Sequence, residues 1–115
     1  GNMRMRDIRK NVQFTASLLE DLKRRDFTIN AMAYNDKNGL IDAFDGVGDL
    51  ERGVIRCVGC AMERFSEDAL RMLRAVRFAA QLGFDIEAET KEAMVKLAPD
   101  IAKISAERIQ TELVK

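Results

Sequence analysis

From Ala61 to the C-terminus the local signals are helical almost throughout, and this half of the chain confines the whole to a helix-rich fold. A long helix is predicted from about Ala61 to near Gly83, where a residue without a Cβ can take the left-handed conformation that closes a helix. A second runs from about Glu87 to Ala98 and ends before Pro99, the only proline, because the residue ahead of a proline is pushed out of helical geometry. Pro99 can open a short helical turn, and Ser105 can cap a last helix in which Ala106, Ile109 and Leu113 share a face.

The N-terminal half reads differently. Residues 3–11 are basic without a clear period, an arm or part of a severed strand, and Val12–Phe14 is a short extended piece. Ser17 and Glu20 form a capping box for a helix from about Leu18 to Arg24. Phe27–Tyr34 and Leu40–Phe44, separated by Asn35-Asp36-Lys37-Asn38-Gly39, predict a β-hairpin. Asp45-Gly46 and Gly48-Asp49 mark turns around a short helical piece near Leu50. The fold class expected is α+β, mostly helical.

With 115 residues, 47% of them hydrophobic and 33% charged, the chain can form a single modest core and is not disordered. Nineteen basic and nineteen acidic residues cancel, so any affinity for RNA must come from local patches. The absence of histidine excludes imidazole catalysis. Cys57 and Cys60 form one Cys-x-x-Cys without a second ligand pair, which reads as two reduced structural cysteines. There is no apolar run of membrane-spanning length and no signal-peptide pattern, so no membrane partner is expected and a cytoplasmic setting is.

Charge gathers in two places. The first is Arg24-Arg25-Asp26-Phe27-Thr28-Ile29-Asn30-Ala31, at the predicted helix-to-strand junction. Arg25 offers a fork of donors suited to phosphate oxygens, Asp26 an acceptor for sugar hydroxyls, and Asn30 a group that donates and accepts. That set fits a nucleoside triphosphate tail and ribose; a solvated charge cluster with Asn30 in a turn is the plain alternative.

The second is the stretch from Arg64 to Arg74. Helical spacing puts Phe65, Ala69, Met72, Val76 and Ala79 on one side and Arg64, Glu67, Asp68, Arg71 and Arg74 on the other. Leu70 and Phe78 fall within or beside the charged arc, so this face is expected to be partly covered by protein or to line a cleft. Asp68 and Arg71, spaced i and i+3, have the groups to read the Watson–Crick edge of cytosine or adenine. The carboxylate accepts from the exocyclic amine and the guanidinium donates to a ring nitrogen, whereas uracil and guanine present a carbonyl where the amine is needed. The alternative is an ion-pair ladder, Arg64 to Asp68 and Glu67 to Arg71, contributing about a few tenths of a kcal/mol.

Residues 17–35 resemble the nucleotide-binding motif of class II tRNA nucleotidyltransferases, the CCA-adding enzymes and the related bacterial poly(A) polymerases. Residues 64–86 are similar to the family's Glu-Asp-x-x-Arg neck helix, and Ile104–Leu113 to the segment after it. The resemblance implies that residues 1–58 are the C-terminal part of a nucleotidyltransferase head and residues 59–115 a truncated helical neck. It implies that Arg25 and Asp26 hold triphosphate and ribose, with Asn30 supporting them. It further implies that Asp68 and Arg71 template the incoming base, with Glu67 and Arg74 orienting that pair. The partners implied are CTP, ATP and the 3′ end of tRNA or another RNA, and the reaction is addition of CMP or AMP. Members of the family use Mg2+ held by an Asp-x-Asp strand after a Gly-Ser signature. No Asp-x-Asp occurs here, so the chain reads as a fragment without catalytic or metal-binding residues, inactive by itself. A non-catalytic helical RNA-binding or protein-interaction module is the competing expectation.

Overall fold

The computed structural model describes residues 12–37 and 39–115. The basic stretch at residues 3–11 therefore lies outside the described residues, as does Asn38 of the predicted hairpin loop. Helix α1 (Val12–Lys23) opens the described chain, so the extended piece expected at Val12–Phe14 is helical and the start expected at Leu18 lies inside the helix. Leu22 is fully buried with Leu18 packed beside its cluster.

The predicted strand Phe27–Tyr34 is broken up. Phe27 forms an isolated antiparallel bridge with Cys57, Thr28–Asn30 is a 3-10 turn, and only Ala33–Asn35 is strand β1. It pairs antiparallel with β2 (Gly39–Ile41), Ala33 opposite Ile41. The hairpin is present but shorter at its open end, and two buried carboxylates explain why. Asp49 accepts the Thr28 hydroxyl at 2.6 Å while also taking Arg52 at 2.7 Å and Arg56 at 3.1 Å, which draws Thr28 inward as a turn. Asp42 accepts the N–H groups of Gly46 at 2.6 Å and Val47 at 2.9 Å, so the chain leaves β2 and enters α2 (Gly46–Arg52) at once. Strand β3 (Val54–Ile55) pairs in parallel with β4 (Asp85–Ile86), a contact too short to leave an alternation in the sequence.

Helices α3 (Ala61–Glu67) and α4 (Leu70–Leu82) replace the single helix expected from Ala61 to Gly83. Between them Asp68 is extended, and its carboxylate accepts the Leu70 N–H at 3.1 Å, offering the backbone an alternative to the helical bond. Across the break Phe65, Ala69, Met72 and Ala79 face the core as expected and Ala75 joins them, whereas Val76, expected on the same face, is 50% exposed. Gly83 closes α4 in the left-handed conformation, as expected. Glu87 caps α5 (Ala88–Leu97) by accepting the N–H groups of Glu89 and Thr90, and Pro99 lies in a 3-10 segment, Ala98–Lys103. Ser105 caps α6 (Ala106–Leu113) through the Arg108 N–H. In α6 it is Glu112 that is buried, while Leu113 is exposed, so the apolar face read from Ala106, Ile109 and Leu113 is rotated.

The architecture is α+β and mostly helical. One core joins Phe27, Ile55 and Cys57 to Ala61, Phe65, Met72, Ala75 and Ala93; a smaller one joins Leu22, Ala31, Ile41 and Val58. Phe78 meets Phe27 edge to face at 5.8 Å, so the charged arc is partly covered by protein, as its apolar members require.

Gly46 fixes how α2 meets the Thr28 turn, because a Cβ there would collide with the Thr28 carbonyl oxygen and press on the Met32 side chain at 3.0 Å. Gly46→Ala is expected to cost about 1–3 kcal/mol, as overpacking against backbone does. An unchanged urea midpoint in this variant would show that the turn is not held as described.

Candidate functional site

The end of α1 delivers the first charged group. Arg24 and Arg25 are exposed; Arg25 lies 3.3 Å from Asp21 and donates to the Asn30 carbonyl at 3.5 Å. Asp26 is only 7% exposed. One of its oxygens accepts from the Phe27 N–H at 2.8 Å and the Asn30 amide at 3.5 Å; the other lies 3.1 Å from Arg74. Arg25, Asp26 and Asn30 are thus grouped, and Arg74 joins them from α4.

Arg74 also stands 3.7 Å from Glu112, a carboxylate 2% exposed that takes Arg77 at 2.6 Å. Of the four residues placed in the second group by the resemblance, Arg74 is therefore the one that meets the first. Arg71 donates one nitrogen to Glu67 at 2.7 Å and to the Arg64 carbonyl at 2.9 Å. That bond from Arg71, with the charges of Arg64 and Arg71, holds the Glu67 carboxyl below its ordinary value despite some desolvation. One rung of the alternative ladder, Glu67 to Arg71, is thus formed. Arg64 pairs with Glu67 at 3.3 Å, and Asp68 turns to Arg108 at 2.8 Å. The bond from Arg108 is the main cause of the lowered pKa of Asp68. Glu67, Asp68, Ser105 and Arg108 line a cleft of about 480 Å³, within the range of small-molecule sites.

Among the described residues, three buried side-chain polar atoms lack a hydrogen-bond partner: an Asp26 carboxylate oxygen and the Nε atoms of Arg64 and Arg74. All three belong to the two charged segments. The Asp26 oxygen stands 3.1 Å from an Arg74 terminal nitrogen and the Arg74 Nε 3.7 Å from Glu112, so charge pairing takes the place of an aligned hydrogen bond there.

No short spacing links Asp68 to Arg108 or Arg74 to Glu112, so neither pair is visible in the sequence. Asp49, whose pKa is pushed up by burial but more than restored downward by Thr28, Arg52 and Arg56, left no signal beyond its place in a turn. Both cysteines are free, and burial pushes the Cys57 thiol up to about 12, which makes it unreactive. Among the described residues no group of three or more His, Cys, Asp or Glu could hold a metal ion, and no helix is long and apolar enough to cross a membrane.

Comparison with known proteins places this geometry in a polymerase class. Residues 2–56 match the Poly A polymerase head domain, and residues 83–115 match the probable RNA and SrmB-binding site of polymerase A. The chain belongs to the family of class II tRNA nucleotidyltransferases, that is, CCA-adding enzymes and bacterial poly(A) polymerases. It is similar to the CCA-adding enzyme of Leuconostoc mesenteroides subsp. mesenteroides, 59% identical over 105 residues, which are 91% of this chain and 26% of the relative. It is also similar to that of Lactiplantibacillus plantarum, 58% identical over 104 residues, 90% of this chain and 26% of the relative. The chain thus spans about a quarter of the length of the curated relatives it matches. Among solved structures, the CCA-adding enzyme of Bacillus stearothermophilus in complex with CTP superposes with a TM-score of 0.80 at 52% identity, covering 84% of this chain and 24% of that one. The Thermotoga maritima CCA-adding enzyme complexed with tRNA superposes with a TM-score of 0.75 at 39% identity, covering 84% and 24%.

Because the folded pKa of Asp68 is lowered, its pairing with Arg108 stabilises the fold above the ordinary value of 3.8 and is lost as pH falls through the folded value. Arg108→Ala is expected to raise the Asp68 titration midpoint toward the ordinary value. Carboxyl NMR titration measures it; an unmoved midpoint would mean the pair does not form.

Proposed function

We propose that the chain carries the head-to-neck portion of a template-independent RNA nucleotidyltransferase, residues 1–58 belonging to the end of the head and residues 59–115 to the neck. The whole enzyme adds CMP or AMP from CTP or ATP to an RNA 3′ end, that of tRNA above all, in the cytoplasm. The observation that carries this reading is the seam between the two motifs. Arg74 lies 3.1 Å from Asp26, and Arg64 donates to the Lys23 carbonyl at 3.0 Å, so segments far apart in sequence form one surface. Solved relatives described as complexes with CTP, with ATP and with tRNA support the choice of partners.

In this reading Arg25, with its side chain half exposed, forks onto triphosphate oxygens. Asp26 is the acceptor for the sugar hydroxyls, and Asn30 steadies it. Asp68 and Arg71 meet the base, Arg71 being held in place by Glu67, while Arg74 ties the two groups together. Magnesium would supply the charge that activates the attacking 3′ hydroxyl and stabilises the leaving pyrophosphate. The described residues do not fit its site. Asp42 and Asp49 are engaged with backbone N–H groups, a hydroxyl and guanidinium groups, and Glu112 with arginines, so the roles assigned to this chain are binding and orientation, with no step through a metal.

The test is a full-length chimera in which the matching segment of the Leuconostoc mesenteroides enzyme is replaced by this chain. Asp68→Ala or Arg71→Ala is expected to erode the preference for CTP and ATP over UTP and GTP. Arg25→Ala is expected to weaken CTP and ATP alike by roughly ten- to a hundredfold, the range of a charge-assisted hydrogen bond, and to spare the nucleosides. Unchanged base preference in both former variants, with equal loss of nucleoside and triphosphate in the last, would sink the assignment.

A further inference from the structure

Arg64 lies at the junction of three features that no sequence spacing connects. It extends from α3, its side chain 19% exposed, and donates to the carbonyl of Lys23, the last residue of α1 and the one immediately ahead of Arg24-Arg25-Asp26. Its second terminal nitrogen lies 3.3 Å from Glu67. Its own carbonyl accepts from Arg71 at 2.9 Å, and the same Arg71 nitrogen is 2.7 Å from the other Glu67 oxygen. A planar fork can hold two acceptors in a fixed relation, which a single ammonium cannot. The buried Nε of Arg64 has no hydrogen-bond partner, so the guanidinium is oriented by its two terminal contacts rather than by full satisfaction of its donors.

We infer that Arg64 is a positioning residue for base selection: it fixes the direction from which Arg71 approaches the base and keeps that direction in register with the turn that carries Arg25 and Asp26. This rests on the function proposed above. The chain of contacts runs from the Lys23 carbonyl to Arg64, to Glu67 and to Arg71, so loss of the Arg64 fork leaves Arg71 bonded to Glu67 and to the backbone but removes what fixes Glu67, and with it the Arg71 guanidinium, relative to the end of α1. The expected fault is one of geometry. Base choice should degrade while the phosphate contacts of Arg25, whose side chain is braced separately by Asp21, persist.

The experiment uses the full-length chimera with Arg64→Met, which keeps an unbranched apolar stem, and Arg64→Lys, which keeps charge and reach but not the fork. Incorporation of CTP, ATP, UTP and GTP is measured as kcat/KM, and inorganic tripolyphosphate serves as a competitive probe of the phosphate site. Both variants are expected to lose roughly tenfold or more in the ratio of CTP to UTP use, with tripolyphosphate inhibition changed by less than about threefold. A merely structural role would lower all four nucleotides and tripolyphosphate together, and that result overturns the inference. If Arg64→Met does not fold, Arg64→Lys decides: wild-type discrimination in it overturns the inference, and relaxed discrimination with intact tripolyphosphate binding supports it. Arg71→Ala in the same chimera separates the two levels. Unchanged base choice there defeats the function proposed above, whereas relaxed choice there beside wild-type choice in both Arg64 variants defeats only the role of Arg64.

Discussion

Arg74 stands between two buried carboxylates, Asp26 and Glu112, and the meeting of the α1 turn, α4 and α6 depends on it. A carboxylate taken out of water without a cation costs several kcal/mol, so the burial of Asp26 relies on Arg74, and that of Glu112 on Arg74 and Arg77 with Lys115 at 3.5 Å beside them. Arg77, one turn along the same helix, completes the pairing of Glu112 at 2.6 Å and lies over the Phe78 ring at 4.4 Å, while Phe78 reaches Phe27. An ionic chain and an aromatic chain therefore run side by side from α4 and end on consecutive residues, Asp26 and Phe27. Burial of the rings lowers water access to the charges, and the paired charges fix the rotation at which the rings meet.

The parts of the fold that were legible in the sequence are those set by local chemistry. Gly83, Glu87, Pro99 and Ser105 punctuate the helices where their backbone preferences require it, and the hairpin between Ala33 and Ile41 follows from its turn residues. The candidate site was legible as two charged segments because charge at a helix-to-strand junction stands out. What was not legible depends on partners distant in sequence. The carboxylate of Asp68 accepts the Leu70 N–H and pairs with Arg108, and so divides a continuous helical pattern. The pull of Asp49 on Thr28 turns a β-rich stretch into a 3-10 turn. The parallel pairing of Val54 and Ile55 with Asp85 and Ile86 is visible only once α4 has reversed the chain. In each case a tertiary contact outweighed a propensity of a few tenths of a kcal/mol.

The core gives a related lesson about the two motif-bearing halves. Phe27 and Ile55 pack in one core with Phe65 and Met72, so the two motif-bearing segments are not separate packing units.

The helix break at Asp68 narrows what evolution can place there. The position must supply a short acceptor for the Leu70 N–H, which Asn or Ser would also do, and a negative charge for Arg108, which Glu would also carry. Asn lacks the charge, and the extra methylene of Glu moves its oxygens away from the backbone two residues on. Only aspartate meets both demands. Substitution is therefore more open to the neighbours of this residue than to the residue itself, because each alternative side chain gives up either the helix break or the tie to α6.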